Sequence, residues 1–192
     1  MSTYLVAGLG NIGDEYAHTR HNIGFDVVDH FSAVHGVSFQ TGRLAGVSRV
    51  RIKGRTIVCI KPTTYMNLSG RSVRYWMDAE KVPLERLIVV LDELALPLSG
   101  LRLKMRGSDG GHNGLKSIQE SLGTQEYPRL RFGIGNDYPK GMQVEYVLGR
   151  WREAELPLVR LKIAKCAELI ESFVFSGPDA TMTAFNNLTL AL

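Results

Sequence analysis

Only two cysteines occur in the 192-residue sequence, Cys59 and Cys166, far apart and each inside an apolar segment. That leaves no disulfide framework and no zinc-type spacing, so both read as small buried hydrophobes in a reducing compartment. No apolar run approaches the length of a membrane span. A Gly-x-Ser-x-Gly elbow is also missing, and neither cysteine stands in a polar, turn-rich setting, so no activated nucleophile is evident. The chain opens directly into a strand-like run without the basic and apolar stretches of a signal peptide, which makes a cytoplasmic location the expectation. Charge of one sign is scarce too. A net charge of +4 is mild, although it permits a polyanionic partner.

What is present is an alternation of strand-like and helix-like segments. Residues 4–8, 45–52, 56–60, 87–91, 101–103 and 130–134 read as strands, and Lys53-Gly-Arg55 reads as a hairpin turn. Phe25, Val28, Phe31 and Val34 recur at helical spacing, with Gly36 as a cap. Further helices are expected over residues 68–77, 114–122, 155–175 and 180–187, with Pro157 tolerated in the first turn of the longest. Arg160, Lys162 and Lys165 on that helix read as ordinary helix surface. The expected fold class is α/β, one domain over residues 1–192 with a mixed sheet flanked by helices on both faces.

Polar residues gather just past the apolar runs, where open α/β sheets collect ligands. Gly8-Leu-Gly-Asn-Ile-Gly13 fits the dinucleotide pattern, but the acidic residue expected about 20 positions on is absent. A tight turn with Asn11 at an unusual backbone angle is the plainer reading. His21 is a candidate general base, with Asp92 or the adjacent Glu93 as its orienting carboxylate. Strand alternation lets only one of the two face it. Asn67 and Asn113 stand where helices begin, either as N-caps or as amides matching a peptide backbone. Four glycines between Gly107 and Gly114 suit a lid or close substrate approach. Arg102, Lys104 and Arg106 fall on one side of a strand, Arg129 and Arg131 on one side of another; such stripes are solvated faces or phosphate grips. His18-x-x-His21 lacks a third metal ligand of suitable spacing.

The motifs Gly8-Leu-Gly-Asn-Ile-Gly13, Thr19-Arg-His-Asn-Ile-Gly24, Lys61-Pro-Thr-Thr-Tyr-Met-Asn-Leu-Ser-Gly70, Asp92-Glu-Leu94, Gly110-Gly-His-Asn-Gly-Leu-Lys-Ser-Ile118, Arg129-Leu-Arg-Phe-Gly-Ile-Gly135 and Tyr146-Val-Leu-Gly149 together closely resemble bacterial-type peptidyl-tRNA hydrolase. The resemblance covers nearly the whole chain in order. It implies a twisted mixed sheet and a monomer that uses neither metal nor cofactor. The implied substrate is peptidyl-tRNA, engaged at its acceptor stem and 3′ end, with no membrane partner. It implies His21 as base, Asp92 as its partner, and Asn11 as a group that positions the ester and steadies the oxyanion. Tyr16, Met66, Asn67 and Asn113 would contact the substrate, and Lys104 and Arg131 would clamp tRNA phosphate. Ile12 stands where the family usually has proline, Ala95 where an acidic residue is common, and Asp109 in a loop that is usually neutral. The rival class is a non-catalytic RNA-binding relative of the same fold.

Overall fold

The computed structural model describes residues 2–192. Its elements run β1 (Thr3–Gly8), α1 (Ile23–Val34), β2 (Gln40–Gly42), β3 (Ala45–Ile52), β4 (Arg55–Pro62), α2 (Ser69–Glu80), β5 (Leu87–Glu93), β6 (Leu101–Lys104), α3 (Asn113–Leu122), β7 (Arg129–Gly133), α4 (Gln143–Val147), α5 (Leu156–Ser176) and α6 (Pro178–Phe185). Short 3-10 turns fill several of the connections, among them Asp14–Tyr16, Arg20–Asn22 and Met66–Leu68. The strands form one sheet in the order β2-β3-β4-β1-β5-β7-β6. Its centre is parallel, β4 with β1, β1 with β5 and β5 with β7, while β2, β3 and β6 pair antiparallel at the margins. Central strands such as Leu87–Leu91 are unbroken apolar runs because both of their faces are covered.

Alternation along those strands divides the core in two. Val6, Cys59, Ile88 and Val90 point toward α1 and α5, against Val28, Phe31, Ile170 and Phe173. Leu5, Ala7, Val58 and Val89 point the other way, against Val73, Trp76 and Met77 of α2 and Ile118 of α3. The chain therefore leaves β1 toward one face and leaves β4 toward the other. A crevice opens between neighbouring strands whose connections part in this way.

Several expectations are corrected here. Asn11 does not take a left-handed angle; in its loop that conformation belongs to Gly13 (φ 119°) and His18 (φ 60°). The glycines serve close approach instead. A Cβ on Gly8 would stand 2.1 Å from the Gly24 carbonyl oxygen, so β1 and α1 touch backbone to backbone. Val34 is 57% exposed, because the helix ends there and its last turn overhangs the core. The helix expected over 68–77 runs on to Glu80 and stops where Lys81 turns left-handed. Lys162 is not helix surface: it is fully buried, its Nζ donating to the carbonyls of Leu98 (2.5 Å) and Gly133 (2.7 Å). The edge strand β2 and the short helix α4 were not anticipated.

Candidate active site

Three of the parallel strands deliver the polar groups. The penultimate residue of β5 is Asp92, which is buried, and its two carboxylate oxygens face two different imidazoles. Oδ2 lies 2.8 Å from Nδ1 of His21 and Oδ1 lies 2.8 Å from Nε2 of His112. The alternation left open by the sequence is thereby resolved. Glu93 points to the opposite side, where its Oε1 accepts from Nε of Arg131 at 2.6 Å.

Proton positions follow from the partners. Nδ1 of His112 accepts from the backbone N–H groups of Gly114 (3.1 Å) and Leu115 (3.4 Å), making His112 the N-cap of α3. Its proton therefore sits on Nε2 and is donated to Asp92. Burial by itself raises a carboxyl pKa, but the charges and hydrogen bonds of His112 and His21 outweigh it, holding Asp92 well below the ordinary carboxylate range. An ionised carboxylate only accepts, so His21 donates from Nδ1 and keeps the lone pair of Nε2 free. His21, Asp92, His112 and Asn113 line one cleft together with Gln143, Val144 and Val147 of α4.

The loop after β1 is tied to this arrangement by Asn22, a buried residue that the sequence reading passed over. Its side chain accepts from the Asn11 backbone N–H (2.8 Å) and donates to the Asn11 carbonyl (2.9 Å). The Asn11 side chain in turn accepts from the Met66 backbone N–H at 2.8 Å, across the crevice between the ends of β1 and β4. That bond fixes which end of the amide is oxygen and leaves Nδ2 as a donor. Asn11 lines a neighbouring depression with Ile12, Asn22, Phe25 and Lys61.

The remaining candidates divide. Met66 is buried, and a Cβ on Gly114 would stand 2.8 Å from its sulfur, so the two loops pack tightly. Asn67 is exposed in a 3-10 turn and caps nothing; Asn113 is the first residue of α3 rather than its cap, because His112 has taken that role. Both amides are thus spared from helix capping. Tyr16 closes the turn Asp14–Tyr16 by donating its backbone N–H to the Gly13 carbonyl (3.1 Å), its own carbonyl accepts from Thr19 Oγ1 at 2.8 Å, and it lines neither depression.

Arg102, Lys104, Arg129 and Arg131 lie on one face, since Arg102 pairs with Arg131 and Lys104 with Arg129 across β6 and β7. Their surroundings differ. Arg129 is buried, its guanidinium donating to the carbonyls of Gly107 (2.9 Å) and Gln125 (2.6 Å), so it props the glycine-rich loop instead of facing solvent. Arg106 lies beyond the end of β6 and does not share the stripe.

By spacing, His21, Asp92 and His112 would suit a metal ion, their ligand atoms lying within 4.8 Å of one another. The hydrogen bonds argue otherwise. Nε2 of His112 has no lone pair to give while Nδ1 caps α3, so a cation would have to break that cap. His18 is apart from the trio and pairs with Asp26 at 2.9 Å. Both cysteine thiols are pushed up to about 12 by burial, which leaves neither as a nucleophile.

The sequence profile described as "Peptidyl-tRNA hydrolase" matches residues 5–191. A peptidyl-tRNA hydrolase of Parabacteroides distasonis is 52% identical over 184 residues, covering 96% of this chain and 98% of the relative. One from Phocaeicola vulgatus is 50% identical over 183 residues, covering 95% and 98%. The crystal structure of peptidyl-tRNA hydrolase from Acinetobacter baumannii superposes with a TM-score of 0.92 at 32% identity, over 98% of this chain and 97% of that one. With that sequence match along its length, and that fold around one carboxylate held between two histidines, the chain belongs to the peptidyl-tRNA hydrolase family.

Proposed function

We propose that the chain hydrolyses the ester joining a peptide to the 3′-terminal ribose of tRNA, releasing free tRNA and peptide by direct attack of water. The observation that carries this reading is the His21–Asp92 pair, 2.8 Å apart, with the second imidazole nitrogen unoccupied beside a cleft. Nε2 of His21 takes a proton from water as water attacks the ester carbonyl. The imidazolium that forms is stabilised by Asp92 and returns its proton to the ribose oxygen as the ester C–O bond breaks, while His112 keeps the carboxylate oriented from its other oxygen. The free Nδ2 of Asn11 donates to the oxyanion, a contribution commonly worth about 10²- to 10³-fold. No covalent intermediate is required, because an ester is labile enough for water.

Met66, Asn67, Asn113 and Tyr16 take the peptide and the terminal nucleotide. The two asparagines are suited to main-chain recognition, since an amide offers both a donor and an acceptor whatever the peptide sequence. Lys104 and Arg131 grip phosphate of the acceptor stem. The whole chain acts as one domain, as a cytoplasmic monomer and without metal or cofactor.

The test is release of free tRNA from an N-acetylaminoacyl-tRNA in the presence of a chelator. Cleavage is expected. Binding of tRNA without cleavage would refute the reading and leave a non-catalytic RNA-binding protein.

A further inference from the structure

Arg20 immediately precedes His21, is only 4% exposed, and is not used in the chemistry above. Its backbone N–H donates to the Gly149 carbonyl at 2.9 Å, beside an isolated antiparallel bridge between Thr19 and Arg150. Its guanidinium donates from Nη1 to the Tyr146 carbonyl (3.2 Å) and from Nη2 to Oε1 of Glu155 (3.1 Å). The same group lies over the Tyr146 ring, 4.2 Å from its centroid, and 5.3 Å from that of Trp151. Tyr146 is anchored in turn by its hydroxyl, which donates to the Ile134 carbonyl at 2.6 Å. Tyr146 belongs to α4, the helix whose Gln143, Val144 and Val147 form part of the wall of the cleft that His21 also lines. One side chain therefore joins the turn that carries the imidazole to a helix that lines the same cleft.

We infer that Arg20 is a positioning residue that locks the His21 turn to α4 and so sets the distance between the imidazole and that wall. The inference rests on His21 acting as the base. Lysine would not substitute, because the site uses the planar fork and the stacked face of the guanidinium together. Displacing a reacting group by about 1 Å costs on the order of 10²-fold in rate, so the chemical step should suffer more than binding.

Two variants of the full chain test this. Arg20→Lys removes the fork. Gly149→Ala presses on the same contact from the other side, since a Cβ there would stand 3.0 Å from Nη1 of Arg20. The readouts are kcat and KM for N-acetylaminoacyl-tRNA, together with the nitrogen and proton resonances of the His21 imidazole. Arg20→Lys should lose roughly 10- to 100-fold in kcat while KM moves less than about threefold, and the His21 resonances should shift. Gly149→Ala should give the same pattern at smaller amplitude. Full kcat in Arg20→Lys, or a lost rate with unmoved His21 resonances, would overturn the inference. If Arg20→Lys does not fold, Gly149→Ala decides by the same two readouts. An unmodified protein that fails to cleave would refute the reading of the site instead, and the His21 resonances would still test the hold of Arg20.

Discussion

A carboxylate shared by two imidazoles divides two tasks between them. His112 is fixed by the backbone of α3 and holds Asp92 still, while His21 keeps a free nitrogen for chemistry. Asn22 does the corresponding work for Asn11 by gripping both its backbone N–H and its carbonyl. Asn22→Ala should therefore lower kcat by about tenfold or more without changing tRNA affinity, as Asn11, the proposed oxyanion donor, loses its anchor. Unaltered kcat in that variant would place the anchor elsewhere. His21, Asp92 and Asn11 stand out as candidates in the sequence because polar residues gather past the ends of its apolar runs. The choice between Asp92 and Glu93 was not legible there, since it depends on which face of β5 meets the turn at residues 20–22. His112 was hidden for a related reason. Among glycines it reads as part of a loop; its cap on α3 is local, but its bond to Asp92 arises only when α3 is brought beside β5.

At the scale of elements, the close contact between β1 and α1 is what brings the turn carrying His21 over the end of the sheet. Gly8→Ala would drive a Cβ to 2.1 Å from the Gly24 carbonyl oxygen. Overpacking commonly costs about 1–3 kcal/mol, and backbone cannot yield as a side chain does, so urea unfolding should register a loss at or above that range. An unchanged midpoint would mean the helix can slide. Lys162 gives a second expectation. Burial lowers its pKa to about 7 from the ordinary 10.5. Between those values the unfolded chain binds a proton that the native state lacks, so its contribution to stability rises with pH across the window and is flat below it. Unfolding free energies measured from pH about 7 to about 10 should climb more in the native protein than in Lys162→Met, by a few kcal/mol at most. Parallel slopes would contradict this. Most elements were readable because buried parallel strands and amphipathic helices leave strong apolar patterns. β2 has only three residues, none fully buried, and α4 only five, of which Tyr146 alone is buried, so neither leaves a periodic signal. That omission mattered, because α4 forms a wall of the site.

Across the whole molecule, the sheet places the candidate catalytic groups at one end, and along one edge the exposed Arg102 and Lys104 of β6 with the half-buried Arg131 of β7. Lys104 is exposed there and has no ion-pair partner among the described residues, whereas Arg131 is spent in part on Glu93 at 2.6 Å. Each phosphate contact contributes a slope of roughly 0.7–0.9 to the dependence of log affinity on log salt. Lys104→Ala should flatten that dependence by about one contact and Arg131→Ala by less, read from tRNA binding at several salt concentrations. Unchanged slopes in both variants would move the clamp elsewhere. The sequence exposed the two stripes, but only the strand register could show that they share a face and that Arg129 has left it for the interior.

His21 is the group proposed to activate water. The most direct measurement compares single-turnover cleavage of N-acetylaminoacyl-tRNA by the native protein and by His21→Ala, with chelator present and tRNA affinity measured in parallel. A loss of about 10²- to 10⁴-fold with affinity retained is the expected result. Cleavage by His21→Ala at the native rate would contradict it and assign the proton transfer to another group.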